Sequence, residues 1–171
     1  MVNEIIKKRK SIRQYDAKGV VTDEQIKTLL EAAMLAPSAC NLRPWEFIVV
    51  KNRSELDKIV EFHRFAKMIK DAQVAIIVIG KPDIQKGKPG DGMWQHDCGA
   101  VVQNILLQAT EMGLGTCWCG LHPNEGYMQQ TRELFKIEKT DMPFCVIAVG
   151  VPAEDFGSRG FYEESKVKWI N

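Results

Sequence analysis

The chain has 171 residues, with 23 Lys and Arg against 22 Asp and Glu and a formal net charge of +1. It is long enough for one domain of ordinary size, and it carries no overall field that would draw nucleic acid or a membrane surface. The amino-terminal Met-Val-Asn-Glu-Ile-Ile-Lys-Lys lacks the apolar region of a signal peptide, and the apolar run Val74 to Ile79 is too short to span a bilayer, so a soluble, cytoplasmic protein is expected.

In chain order, Val2, Ile5 and Ile6 mark one face of a first helix whose last turn delivers Arg9 and Lys10 toward a break at Ser11. Thr22 and Gln25 form a capping-box pair ahead of Ile26, Leu29, Leu30 and Ala33, which recur at helical spacing. This second helix should stop at Pro37, because the residue before a proline disfavours helical backbone. Phe47 to Val50 reads as a strand, Leu56 to Ile69 as helix with a break, and Val74 to Ile79 as a strand buried on both faces. Lys81 to Gly92, with two prolines and three glycines, reads as a loop. Val101, Ile105, Leu106, Ala109 and Met112 predict a long helix from about Met93 to a stop at Gly113. Val102 and Leu107 widen its apolar face to nearly the whole circumference, which predicts burial almost all round, at the centre of a subunit or of a dimer. Thr116 to Cys119 reads as a short strand, Asn124 as the cap of a helix carrying Met128, Leu134 and Phe135, and Phe144 to Val151 as a last strand. Beyond Val151 the chain turns polar, yet Phe156, Phe161, Tyr162, Val167 and Trp169 are costly to leave in water. They are expected to dock on a surface.

Five cysteines, an odd number, argue for reduced thiols. Cys117 and Cys119 form a Cys-x-Cys and His96 precedes Asp97-Cys98, but zinc sites show separated ligand pairs at wider spacing. A strand puts Cys117 and Cys119 on one face, where buried small apolar residues are the better reading. No metal is expected. His63, His96 and His122 lie in separate segments without a nucleophile or paired-carboxylate motif, and surface or structural roles are expected for all three.

Three segments carry the chemistry. In Lys-Lys-Arg-Lys-Ser-Ile-Arg, the guanidinium forks of Arg9 and Arg13 suit phosphate oxygens, and Ser11 adds a hydroxyl; a solvated basic helix end is the plainer alternative. In Ala-Pro-Ser-Ala-Cys-Asn-Leu-Arg-Pro-Trp, the residues Pro37, Ser38 and Ala39 make a stiff turn of small side chains. Asn41 can donate and accept at once, which suits the edge of a planar heterocycle, or serve as a turn residue. Gly-Leu-Gly-Thr-Cys-Trp-Cys-Gly, residues 113 to 120, joins a helix to a strand and lacks the third glycine of a dinucleotide fingerprint.

Together these three segments resemble the nitroreductase family, nearly end to end. The resemblance implies an α+β nitroreductase-like fold: a central mixed or antiparallel sheet flanked by helices, one domain over 1–171, and a carboxy-terminal extension, 152–171, wrapping the partner of a homodimer. It implies FMN at the subunit interface. Arg9, Lys10, Ser11 and Arg13 would hold its phosphate, with Arg159 as a carboxy-terminal ligand and Lys166 a weaker candidate. Pro37, Ser38, Ala39 and Asn41 would frame the ring, and Trp118, Cys119 and Gly120 would lie beside it. No catalytic side chain is implied; hydride passes through flavin N5, tuned by backbone near Cys119 and Gly120. NADH or NADPH would reduce FMN and give way, in ping-pong order, to a nitroaromatic, a quinone or another small electron acceptor. The same fold also hosts reductive substituent removal and oxidation of FMN-related compounds, and a non-catalytic flavin sensor or carrier would keep the same segments. Two departures stand out: Arg43 replaces the usual glutamine of the family's Gln-Pro-Trp, and the chain is short around Phe62 to Gly92. The roles of Cys40, Cys98, Cys117 and Cys119 near the flavin are left open.

Overall fold

The computed structural model describes residues 1–157 and 160–170; Arg159 lies outside the described residues. Four antiparallel strands, β1 (Trp45–Val50), β2 (Val74–Gly80), β3 (Gly115–Gly120) and β4 (Met142–Gly150), form one sheet in the order β1-β2-β4-β3. All three pairings are antiparallel, so the sheet is not mixed. Every residue of β2 is buried, as its unbroken apolar sequence requires. The pleat sends Val74, Ile76 and Val78 to one face and Ala75, Ile77 and Ile79 to the other.

Each face is covered by helices. On the first lie α2 (Asp23–Met34) and α5 (Trp94–Glu111), and on the second α3 (Arg53–Phe62) and α6 (Glu125–Phe135). The capping box of α2 forms as the sequence predicts: Thr22 Oγ1 accepts from Gln25 N–H, and Gln25 Oε1 accepts from Thr22 N–H. The Asn124 side chain caps α6. Helix α5 ends where Gly113, at φ 72°, takes the left-handed region, and Leu114 N–H closes on Ala109 C=O at 2.8 Å.

Three expectations change. The break expected within 56–69 is complete: α3 stops at Phe62, and a separate 3-10 turn covers Lys67–Lys70. The segment 81–92 is not all loop, since Pro82, apt for a first helical turn, starts a one-turn helix α4 (Pro82–Gln85). Helix α5 is not buried all round in this chain: Leu107 is only half-buried, and Asn104, Leu107 and Gln108 share an open groove of about 430 Å³ with Ile5 and Ile6 of α1 (Glu4–Lys8). Among the described residues no helix is long and apolar enough to cross a membrane.

The start of α5 is set by a close approach. A Cβ added at Gly80 would lie 2.2 Å from Trp94 Cε3, so the indole rests directly on the end of β2. Gly80→Ala should therefore destabilise the protein by about 1–3 kcal/mol, the usual cost of overpacking. Urea unfolding at fixed protein concentration measures this, and an unchanged midpoint would contradict the packing described.

Candidate functional site

Arg9 ends α1 in extended backbone, and the next residues run along the outer edge of β3. Ser11 bridges Thr116 in parallel, Ile12 N–H donates to Thr116 C=O at 2.8 Å, and Ile12 is fully buried. Gly115 allows this approach, because a Cβ there would come within 2.8 Å of Ile12 Cγ2. The buried isoleucine fixes the segment and leaves Arg13, the next residue, exposed. Tyr15 Oη anchors the far end by donating to Ile12 C=O at 3.0 Å.

The basic charges of this arm divide into two kinds. Lys7 pairs with Glu4 at 2.6 Å, and Lys10 pairs with Glu154 at 3.2 Å. Glu154 also accepts from the Arg13 and Gln14 backbone N–H groups at 2.6 and 3.2 Å. Those amides, first the Arg13 N–H, together with Lys10 hold its carboxyl below the usual range. Lys10, expected to face a phosphate, is thus turned to an internal carboxylate, and Lys166 is paired with Glu163. Among the described residues, neither Arg9 nor Arg13 has a carboxylate partner for its guanidinium.

On β3 the pleat places Cys117 and Cys119 together on the α3 and α6 face, both buried, and Trp118 on the opposite face. Cys119 lowers the pKa of Cys117 by hydrogen bonding, aided by Arg13 and Ser11, while Cys117 and burial raise that of Cys119. Burial likewise raises the thiols of Cys98 and Cys145. Cys40 alone of the five free cysteines is exposed. Trp118 is not a core aromatic: it is 39% exposed and meets Phe144 at 5.8 Å between ring centroids. Gly120 is exposed, and its carbonyl accepts from His63 Nε2 at 2.9 Å. That bond fixes the proton on Nε2. His63 is buried against Tyr127, its Nδ1 has no partner, and burial lowers its pKa. His96 is exposed, and His122 is half-buried against the Trp94 ring edge.

The turn expected to frame the ring lies elsewhere. Residues 38–43 close on themselves: Arg43 N–H donates to Ser38 Oγ at 2.9 Å, and Asn41 N–H to Ser38 C=O at 2.9 Å. Cys40, Asn41 and Arg43 all take positive φ, at 51°, 53° and 51°. Pro37 and Asn41 are exposed, while Ser38 and Ala39 are half-buried. Arg43 Nε donates to Asn41 Oδ1 at 3.2 Å. Arginine in the usual glutamine position therefore engages the asparagine carbonyl and leaves its amide NH2 to face outward as a donor.

The chain thus sets the arm against Thr116, on the strand that carries Trp118, Cys119 and Gly120, with Arg13 close enough to act on Cys117 and Cys119, while Pro37 to Asn41 precede the strand at the other edge. The arm follows β3 and the turn leads into β1, and these are the two outer strands of the sheet. Three strand spacings, about 14 Å, separate those two strands. Sequence reasoning missed Glu154, the link from His63 to Gly120, and the buried Asp97 that accepts from Ala39 N–H. All three join residues far apart in the chain, and no local spacing signals them.

The Nitroreductase family model matches residues 6–64 and 61–151. A Methanothermobacter thermautotrophicus protein named "Putative NADH dehydrogenase/NAD(P)H nitroreductase" is 44% identical over 171 residues, covering 98% of this chain and 87% of that one. A protein of the same name from Archaeoglobus fulgidus is 42% identical over 160 residues, covering 94% and 88%. The solved FMN-dependent nitroreductase of Clostridium difficile R20291 superposes with a TM-score of 0.87 at 30% identity, covering 98% of each chain.

The lowered pKa of His63 gives a pH signature. The unfolded chain takes up this proton at about pH 6.5 and the folded chain only lower, so stability is intact above that value and falls as the pH drops toward the folded pKa. The slope is at most about 1.4 kcal/mol per pH unit. In His63→Gln, which keeps a donor but no titration, stability measured by urea unfolding should fall less steeply between about pH 7 and pH 5. Equal slopes would show that His63 is not held neutral.

Proposed function

The chain belongs to the Nitroreductase family, and from that membership we propose that it is an NAD(P)H-dependent oxidoreductase that holds FMN between two copies of itself. FMN, when bound, supplies the hydride-accepting and hydride-donating centre, and the acceptor is a small electrophile such as a nitroaromatic or a quinone. The observation that carries this reading is the sorting of charge in the amino-terminal arm. Lys7 and Lys10 are paired internally, whereas Arg9 and Arg13, like Lys8, have no carboxylate partner among the described residues, and the two arginines flank a segment fixed by Ile12. Two guanidinium forks and the Ser11 hydroxyl suit the terminal phosphate of a mononucleotide.

The remaining residues orient and shield. Gly120, its carbonyl bonded to His63, has no side chain to block a planar ring, and Trp118 offers an exposed aromatic next to it. Asn41, held by Arg43, supplies a polar edge to the ring of the partner's site. A second copy supplies this turn because, in one chain, it flanks the wrong edge of the sheet. The same copy covers the groove between α1 and α5, where Ile6 is 53% exposed, and gives a surface to Phe161 and Trp169, 83% and 75% exposed. Phe156, by contrast, already packs on its own core. Residues 1–171 then form one domain, with 152–171 as its dimer-embracing extension.

Replacing Arg9 or Arg13 with Ala should remove a charge-assisted contact of about 1.5–3 kcal/mol and weaken FMN retention roughly tenfold to a hundredfold. Equilibrium dialysis checks this, and unchanged affinity in both variants would refute the phosphate role. Deleting the chain after Val151 should abolish the dimer and FMN binding together. Light scattering of the intact protein should report two copies of the 19.4 kDa chain, and a flavin-loaded monomer would contradict the shared site.

A further inference from the structure

Asp97 sits in the first turn of α5, where the helix dipole favours an anion, and is 6% exposed. Among the described residues no cation pairs with it. One carboxylate oxygen accepts from Ala39 N–H at 3.0 Å and the other from Gln85 Nε2 at 2.7 Å. Gln85 is fully buried, and its Oε1 has no partner. An amide that leaves its own acceptor unsatisfied in order to present its donor is oriented by the carboxylate it meets.

One donor belongs to the turn proposed to frame the ring, and the other to α4, which opens the loop that packs on that turn. Ala39 begins the turn with three non-glycine residues at positive φ, a backbone that persists only where its surroundings overdetermine it. Gln85 ends α4, from which consecutive turns lead through Gly90 to Met93: Lys88 N–H to Gln85 C=O, Asp91 N–H to Lys88 C=O, and Met93 N–H to Gly90 C=O. Gly90, at φ 96°, lies on Ala39 so closely that an added Cβ would be 2.8 Å from the Ala39 Cβ. Turn and loop touch, and one buried carboxylate bonds to both.

We propose that Asp97 is a positioning residue for the flavin site: it latches the ring-framing turn 38–43 to the loop 82–93, so that cofactor affinity and access of the acceptor are set by one buried carboxylate that touches neither. The inference rests on the FMN reading above. It makes the charge secondary and the acceptor geometry primary. Asparagine at this position can accept from Ala39 with its oxygen and donate to the unpartnered Gln85 Oε1 once the glutamine amide turns over.

The test compares Asp97→Ala, Asp97→Asn and Gln85→Ala by FMN affinity, acceptor kinetics and amide hydrogen exchange of peptides covering 36–45 and 82–93. In Asp97→Ala, exchange in 36–45 should accelerate and FMN affinity fall at least about tenfold. Asp97→Asn should stay within about threefold of wild type in both, and this rescue separates geometry from charge. Gln85→Ala keeps the bond to Ala39. It should speed exchange in 82–93 and raise the acceptor KM at least about threefold, while flavin reduction by pyridine nucleotide stays within about twofold. Wild-type exchange and FMN affinity in Asp97→Ala would overturn the latch. If that variant does not fold, unchanged exchange and KM in Gln85→Ala overturn it instead. A wild-type protein that binds no FMN would defeat the functional reading alone, since the exchange data still decide whether the latch exists.

Discussion

The two central strands have no polar face. From Val74 to Gly80 and from Cys145 to Gly150 every residue is buried, so both sides of the sheet must be roofed by helices before the chain gains anything from pairing them. That demand places α2 and α5 on one side and α3 and α6 on the other. Polar, shape-giving segments are left only the edges and ends of the sheet. The arm 9–16 takes the β3 edge, and the turn 38–43 with the loop 82–93 takes the end where β1 begins and β2 stops. The division of the candidate site between two edges follows from a core that leaves no room on its faces.

Internal carboxylates then shape what the edges present. Glu154 gathers the Arg13 and Gln14 amides and the Lys10 ammonium, tying the arm to the first residues of the carboxy-terminal segment, where Tyr15 bridges Pro152. Asp97 does the corresponding work for the turn. In each case a carboxylate accepts from backbone N–H, two groups for Glu154 and one for Asp97, and fixes the segment that carries an arginine or asparagine. His63 acts on Gly120 from the donor side. The chemistry available at the surface is therefore set by groups that do not reach it.

Local signals were readable in the sequence, and contacts across the chain were not. The α2 capping box, the Gly113 stop and the doubly buried β2 rest on neighbours within a few residues, where spacing and chemistry decide. The one-turn helix at Pro82 escaped because four residues between prolines and glycines show no period. The arm Arg9 to Arg13 could be picked out by composition, but the diversion of Lys10 to Glu154 depends on a carboxylate 144 residues away. His63 could be assigned a structural role, yet its bond to Gly120 spans 57 residues. Asp97 read as one member of a weak His-Asp-Cys cluster. Its actual partners, Ala39 and Gln85, converge at the start of α5, which Trp94 seats against Gly80.

The central claim is that one protein shaped in this way holds a mononucleotide flavin and exchanges hydride with a pyridine nucleotide. Absorption spectroscopy of the purified protein under anaerobic titration with NADH and then NADPH tests both halves at once. The account predicts a flavin spectrum whose chromophore is released as FMN on denaturation and whose visible band bleaches on adding at least one of the two nucleotides, then returns when a quinone is admitted. A colourless protein that takes up no FMN, or bound flavin that neither nucleotide bleaches, would contradict it.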